Sequence, residues 1–165
     1  MIYLALDQAL QTTGYAIFED TGELIKWGTF STNASYPIED RLYAIQQQLT
    51  ELDKHYNIGY VFFEDTQKQV NLDTYKRLCY VQSVIMLWCR NRGGIKYSIL
   101  SPSHWRKILK DKYKISWGRK REEQKQAALE WVRQEYDGNF TSDSADAICI
   151  GRAGLIELNQ NRSVF

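Results

Sequence analysis

The sequence predicts an α/β fold in which a mixed five-stranded sheet is flanked by helices, and three observations predict it. Short apolar runs ending in an acid occur at residues 2–7 and again at 60–64. A turn sequence joins two β-rich runs directly after the first of them, which marks a hairpin. Segments with helical periodicity then alternate with further strand-like runs, the pattern of helices layered on a sheet.

Taken in order, Ile-Tyr-Leu-Ala-Leu-Asp at 2–7 reads as a buried strand. Residues 14–19 and 24–31 flank Asp20-Thr21-Gly22-Glu23, so strands one to three form an antiparallel meander. Pro37 stands near the start of a helix on which Leu42, Ile45, Leu49 and Leu52 share one face. Tyr-Val-Phe-Phe-Glu at 60–64 is the fourth strand.

A long helix follows, from about Asn71 to Asn91, with two apolar stripes. Leu72, Tyr75, Cys79, Met86 and Cys89 form one, with Gln82 in register, and Leu78, Val81, Ile85 and Trp88 form the other. One stripe suffices to pack a helix on a sheet. The second calls for another helix or a second subunit, and a homodimer through 71–91 is the expectation. Gly93-Gly94 ends the helix and 96–100 is the fifth strand.

Ser101-Pro102-Ser103 starts the next helix, with proline in its first turn. The basic stretch behind it reads as two helices broken near Ser116-Trp117-Gly118, the second facing the core through Ala127, Ala128, Trp131 and Val132. A last helix begins near Thr141-Ser142-Asp143 and carries Ala145, Ala147, Ile148, Ala153, Leu155 and Ile156. With no repeat, linker or low-complexity stretch, residues 1–165 read as a single domain.

Composition narrows the class. The chain is 44% hydrophobic and 25% charged, ordinary for a soluble globular protein. It shows no basic-then-apolar leader and no apolar run of bilayer length, so no membrane partner is expected. Cys79, Cys89 and Cys149 are widely spaced, with no CxxC pair, and read as buried thiols in a reducing compartment, which points to the cytoplasm. A sugar-kinase or actin-like ATPase also opens on an acid-ended strand and hairpin, but needs Gly-rich phosphate loops that this chain lacks. No nucleotide cofactor is expected.

Net charge is +1, but residues 106–125 hold nine Lys/Arg against three acids, leaving that segment +6 and the rest −5. Such a split suggests a polyanion-facing surface. Within and around it, Trp105, Arg106, Lys107, Trp117, Arg119, Lys120 and Arg121 are candidate DNA contacts, the tryptophans by stacking on unpaired bases. A Lys-rich helix is often only a solvated face, and at least one of the tryptophans is expected in the core.

The chemistry-bearing pattern is acidic. Asp7 and Glu64 end strands, where ligand sites of open α/β sheets gather. Asp143 and Asp146, three residues apart in a first helical turn, share one face beside the small Ser144 and Ala145. Each acid alone has a plain alternative as a turn residue or N-cap. Together they form a group whose mutual repulsion a hard divalent cation relieves. Asp65, next to Glu64, is expected to face solvent, because adjacent strand residues point to opposite faces.

These residues carry a resemblance. Asp7 with Thr13-Gly14-Tyr15 on the next strand, Phe62-Phe63-Glu64, and Asp143-Ser144-Ala145-Asp146-Ala147-Ile148, in that order in a chain of this size, resemble the RuvC-type Holliday-junction resolvases of the RNase H/integrase superfamily, the small phage-borne forms included. The resemblance covers essentially the whole chain and implies an RNase H-like fold. It also implies a dimeric endonuclease that cuts branched DNA with two Mg²⁺ or Mn²⁺ ions, leaving a 5′-phosphate and 3′-hydroxyl, for a phage-encoded member in the host cytoplasm.

By position, Asp7 would bridge both metals, Glu64 would bind one, Asp146 the other, and Asp143 would complete or tune the second site. Lys125 is the first choice for the cation that stabilises transition-state charge, with Lys107 second. Two positions differ from the family pattern. Gln8-Ala9 replaces a Pro-Gly pair, and Gln67 stands where many members carry an aromatic. The second points to a looser branched-DNA nuclease. The alternatives are an RNase H-like nuclease acting on RNA–DNA hybrids and a non-catalytic junction-binding protein.

Overall fold

In the computed structural model, which describes residues 1–163, ten elements follow one another. They are β1 (Ile2–Asp7), β2 (Thr12–Glu19), β3 (Leu24–Ser31), α1 (Ile38–Tyr56), β4 (Ile58–Glu64), α2 (Leu72–Asn91), β5 (Lys96–Leu100), α3 (Pro102–Tyr113), α4 (Arg121–Glu135) and α5 (Ser142–Arg162). The strands form one sheet in the order β3-β2-β1-β4-β5. The first three pair antiparallel, while β4 lies parallel to both β1 and β5. This is the mixed sheet that the sequence predicts. Two strands are longer than read: β2 begins at Thr12, opposite Ser31, and β4 at Ile58.

Strand alternation divides the interior into two cores. Along β1, Tyr3 and Ala5 point to one face and Leu4 and Leu6 to the other, all of them buried. On the first face Tyr3, Ala5, Phe18 and Phe62 pack with Trp105, Leu109, Trp131 and Ile148 from α3, α4 and α5. On the second, Leu4, Leu6, Ile17 and Phe63 pack with Ile45, Leu49, Ile85 and Trp88 from α1 and α2. The central strands are covered on both faces, which is why they read as continuous apolar runs.

The two stripes of α2 part ways. Val81, Ile85 and Trp88 are buried, with Trp88 Nε1 donating to Thr50 Oγ1 on α1 at 3.1 Å. Of the other stripe only Cys89 is buried, Tyr75, Cys79 and Met86 are half-covered, and Leu72 is exposed. At the far end, Asn57 closes α1 in the left-handed region (φ 53°). There the buried Asp53 carboxylate accepts from the Ile58 N–H and from the Arg92 guanidinium, tying the ends of α1 and α2 to the start of β4.

Helix α5 is buried almost all round, against the sheet on one side and α3 and α4 on the other. It lies close because small residues face the sheet. A Cβ on Gly154 would stand 2.3 Å from the Phe62 ring. A Cβ on Gly14 would stand 2.0 Å from the carbonyl oxygen of Asp143, so this glycine lets the first turn of α5 rest on β2.

That contact is with backbone, which cannot rotate away. Gly14→Ala is therefore expected to destabilise the fold by about 1–3 kcal/mol, the usual range for overpacking. Thermal unfolding reads the loss, and an unchanged Tm would show that α5 does not depend on this approach.

Candidate active site

Parallel neighbours end on the same side of a sheet. With Leu6 opposite Phe63, the next residues of β1 and β4 are Asp7 and Glu64, and both acids emerge side by side. The first turn of α5, resting on β2, adds Asp143 and Asp146. All four acids line one cleft of about 570 Å³, together with Gln8, Gln67, Gln69, Arg106, Arg121 and Lys125.

Several side chains hold this group in place. Lys125, one turn into α4, lies with Nζ 3.3 Å from Asp146 Oδ2 and 3.7 Å from Asp143 Oδ1, and donates to Ser142 Oγ at 3.4 Å. Trp105 Nε1 donates to Glu64 Oε2 at 2.7 Å. Gln8 hydrogen-bonds the backbone of Glu64 through both ends of its carboxamide. The loop between β1 and β2 is pinned from beneath: the buried Arg41 donates to Thr32 Oγ1 at 2.8 Å and to Gln11 Oε1 at 3.0 Å.

Burial, and after it the crowding of like charges, shows in the acidities. Burial pushes Asp7 well above the usual carboxylate range, and the charges of Asp146 and Glu64 push it further. Burial also raises Asp146, opposed by Lys125. It raises Glu64, opposed by the Trp105 hydrogen bond and the Arg106 charge. Among the described residues no three Asp, Glu, His or Cys side chains stand close enough to form a ready ligand set. The donor chemistry nevertheless fits a hard divalent ion, since four carboxylates share one cleft and a cation there offsets the burial, and the lesser mutual repulsion, that raise Asp7, Glu64 and Asp146.

The basic residues do not all line the acidic cleft. Arg106 and Arg121 line the acidic cleft. Arg119 lies in a neighbouring depression with Lys110, Lys114 and Trp117. Lys107 is outside both, exposed and ion-paired one turn along to Asp111 at 2.7 Å, which argues against it as the second choice for a catalytic cation. Lys120 is exposed at the start of α4, where Glu123 Oε2 accepts the N–H groups of Arg119 and Lys120.

Both tryptophans expected to stack on bases are interior. Trp105 is 1% exposed and Trp117 8%, packed edge to face with centroids 5.3 Å apart. The apolar area of an indole is large enough that folding claims it before a ligand can. Asp65 is half-buried rather than solvent-facing, its N–H donating to Leu100 O at 2.9 Å.

Sequence reasoning missed Gln8, the indole bond to Glu64, and the place of Arg106 in the cleft. The guanidinium of Arg106 lies 4.7 Å above the Trp105 ring, a cation–π contact that aims it. Gln8 had a mark in the sequence only as a departure from a Pro-Gly pattern.

A carboxyl group whose folded pKa is raised binds its proton more tightly in the folded state. It therefore favours folding at acid pH and disfavours it as pH rises from about 4, the unfolded value, through the raised folded one. In EDTA, Asp7→Asn is expected to raise Tm at pH 8 more than at pH 5, by about 2–4 °C per kcal/mol of the burial and repulsion cost relieved. An equal change at both pH values would show that folding does not raise the Asp7 carboxyl.

No family model matches the chain. The crossover junction endodeoxyribonuclease RuvC of Anaplasma phagocytophilum (strain HZ) is 26% identical over 156 residues, covering 90% of each chain. Thermus thermophilus RuvC, solved in complex with a Holliday junction substrate, superposes with a TM-score of 0.77 at 13% identity, over 97% of this chain and 96% of that one. The fowlpox virus resolvase, solved with Holliday junction DNA, superposes with a TM-score of 0.62 at 14% identity, over 96% and 99%. The chain has the RNase H-like fold of RuvC-type resolvases and is similar in sequence to a RuvC along nine-tenths of its length.

Proposed function

We propose that the chain is a structure-selective endonuclease that cuts branched DNA, four-way junctions included, by metal-dependent phosphodiester hydrolysis. The observation that carries this reading is the convergence of Asp7, Glu64, Asp143 and Asp146 from β1, β4 and α5 on one cleft rimmed by Arg106, Arg121 and Lys125. The RuvC and fowlpox resolvase structures, solved with junction DNA, support the choice of substrate.

The four carboxylates would hold two Mg²⁺ or Mn²⁺ ions, Asp7 shared between them, Glu64 on one and Asp146 with Asp143 on the other. Bound there, the metal supplies Lewis acidity toward the attacking water and the departing 3′ oxygen. Water oxygen bonds to phosphorus as the P–O3′ bond breaks, leaving a 5′-phosphate and a 3′-hydroxyl. Lys125 and Arg106 take the non-bridging oxygens of the scissile phosphate and stabilise the charge that grows on them. Arg119, Lys120 and Arg121 bind flanking phosphates.

The whole chain, 1–165, acts as one domain. Two copies pair through α2, whose second stripe leaves Leu72 61% exposed and Leu87, on the neighbouring flank, 63% exposed. Such a pair presents two active sites to opposed strands. Among the described residues no helix is long and apolar enough to cross a membrane. The three free thiols suit a reducing cytoplasm, that of the host cell for a phage-borne protein.

Labelled four-way, three-way and linear duplexes incubated with Mg²⁺ and run on a denaturing gel test the activity. Symmetric nicks at the branch, lost in EDTA, are expected. Binding without cutting would identify a junction-binding protein, and neither would direct the search to RNA–DNA hybrids.

Asp7→Asn and Asp146→Asn are expected to lower cleavage by at least about 100-fold, the upper end of the loss seen on removing a mere supporting residue. Junction binding should survive in both. Full activity in either would overturn the assignment. Lys120→Ala and Arg121→Ala should each reduce the slope of log affinity against log salt by about 1, and slopes equal to that of the unsubstituted chain would remove both from the DNA face.

A further inference from the structure

Hydrogen-bonded pairing of β1 with β4 runs as far as Leu6 and Phe63, one residue short of Glu64. A side chain closes the gap. Gln8, 8% exposed, donates from Nε2 to the Glu64 carbonyl, and its Oε1 accepts the Glu64 N–H at 3.2 Å. A carboxamide offers the same donor and acceptor as a peptide group, so Gln8 adds one more rung to the ladder. On the opposite edge Glu64 pairs with Leu100 of β5.

The carboxylate is gripped as well. Trp105 reaches back from the first turn of α3 and donates its indole N–H to Oε2 at 2.7 Å. Its ring is buried in contact with both Trp117 and the Arg106 guanidinium, so it cannot turn without disturbing the core. An indole nitrogen only donates. Buried at 1% exposure, it needs an acceptor, and Glu64 Oε2 is the one it has. Oε1 is left for a ligand.

We propose that Gln8 and Trp105 are positioning residues that preset Glu64 for a divalent ion, an inference that rests on the metal-dependent reading of the cleft. Gln8 fixes where the backbone of Glu64 ends, and Trp105 fixes how its carboxylate is turned. Both act through Glu64. Hydrogen bonds of this kind to a ligating group orient it before the ion arrives, and losing one costs about 10–100-fold in metal affinity.

The test is a calorimetric titration of Mn²⁺ into the full chain without DNA, for the unsubstituted protein, Trp105→Phe, Gln8→Met and Trp131→Phe, with Tm measured in EDTA. Phe keeps a ring in the core and Met keeps the length of Gln. Trp131 is the control, since it lies in the same core, 6% exposed, with an Nε1 that has no partner. Trp105→Phe is expected to bind Mn²⁺ about 10–100-fold more weakly and Gln8→Met about 10-fold more weakly. Trp131→Phe should keep its affinity whatever its Tm, and cleavage by Trp105→Phe should recover as Mn²⁺ is raised.

Unchanged affinity in both Trp105→Phe and Gln8→Met overturns the proposal while leaving the metal reading intact. Should Trp105→Phe fail to fold, Gln8→Met decides alone. No uptake of Mn²⁺ by the unsubstituted chain overturns the metal reading and the proposal together.

Discussion

Parallel pairing of β1 with β4 is the constraint from which the rest follows. It sets two carboxylates side by side at the same end of the sheet, and the contact of α5 with β2 brings two more. Such a cluster opposes folding, because burial and mutual repulsion both penalise the charged forms. Lys125 offsets part of this at Asp146 and Asp143, and Trp105 and Arg106 offset part at Glu64. What remains is a site with negative charge to spare. A fold that tolerates this must draw its stability from elsewhere.

It draws it from the two cores. The central strands are apolar on both faces, so each β1 residue from Tyr3 to Leu6 is sealed by helices on one side or the other. The sheet ends carrying the acids are thus anchored in strands that are buried on both faces. Close packing leaves α5 little room to drift, since Gly14 and Gly154 set its distance from the sheet at van der Waals contact. Strand ends and a helix held by close packing suit a site whose side chains must meet at fixed separations.

The basic stretch shows how one composition serves several ends. Arg106 and Arg121 reach the acidic cleft, Arg119 faces the depression beside it, and Lys107 is occupied with Asp111 on its own helix. Helical periodicity disperses neighbours in sequence around the axis, so a run of charge seldom makes a single surface. Trp105 links the two kinds of role. Its ring belongs to the core while its N–H belongs to the site.

Element order, the antiparallel meander, and the clustering of acids at strand ends were legible in the sequence, because periodicity and turn chemistry are local properties. Asp7, Glu64, Asp143 and Asp146 stood out because an acid closing an apolar run, or two acids on one helical face, contrasts with its immediate surroundings. The gripping of Glu64 was not legible. Gln8 meets Glu64 across 56 positions and Trp105 meets it across 41, and neither residue type advertises such a bond. The fates of Trp105, Trp117, Arg106 and Lys107 were likewise undecided, since exposure depends on which helix lies over which face. The sequence by itself thus determined the elements and the four candidate acids, through short-range pattern. Only the tertiary structure decided that these acids share one cleft and which partners hold them, because hydrogen bonds and ion pairs form between groups that folding, not chain order, brings within about 3 Å.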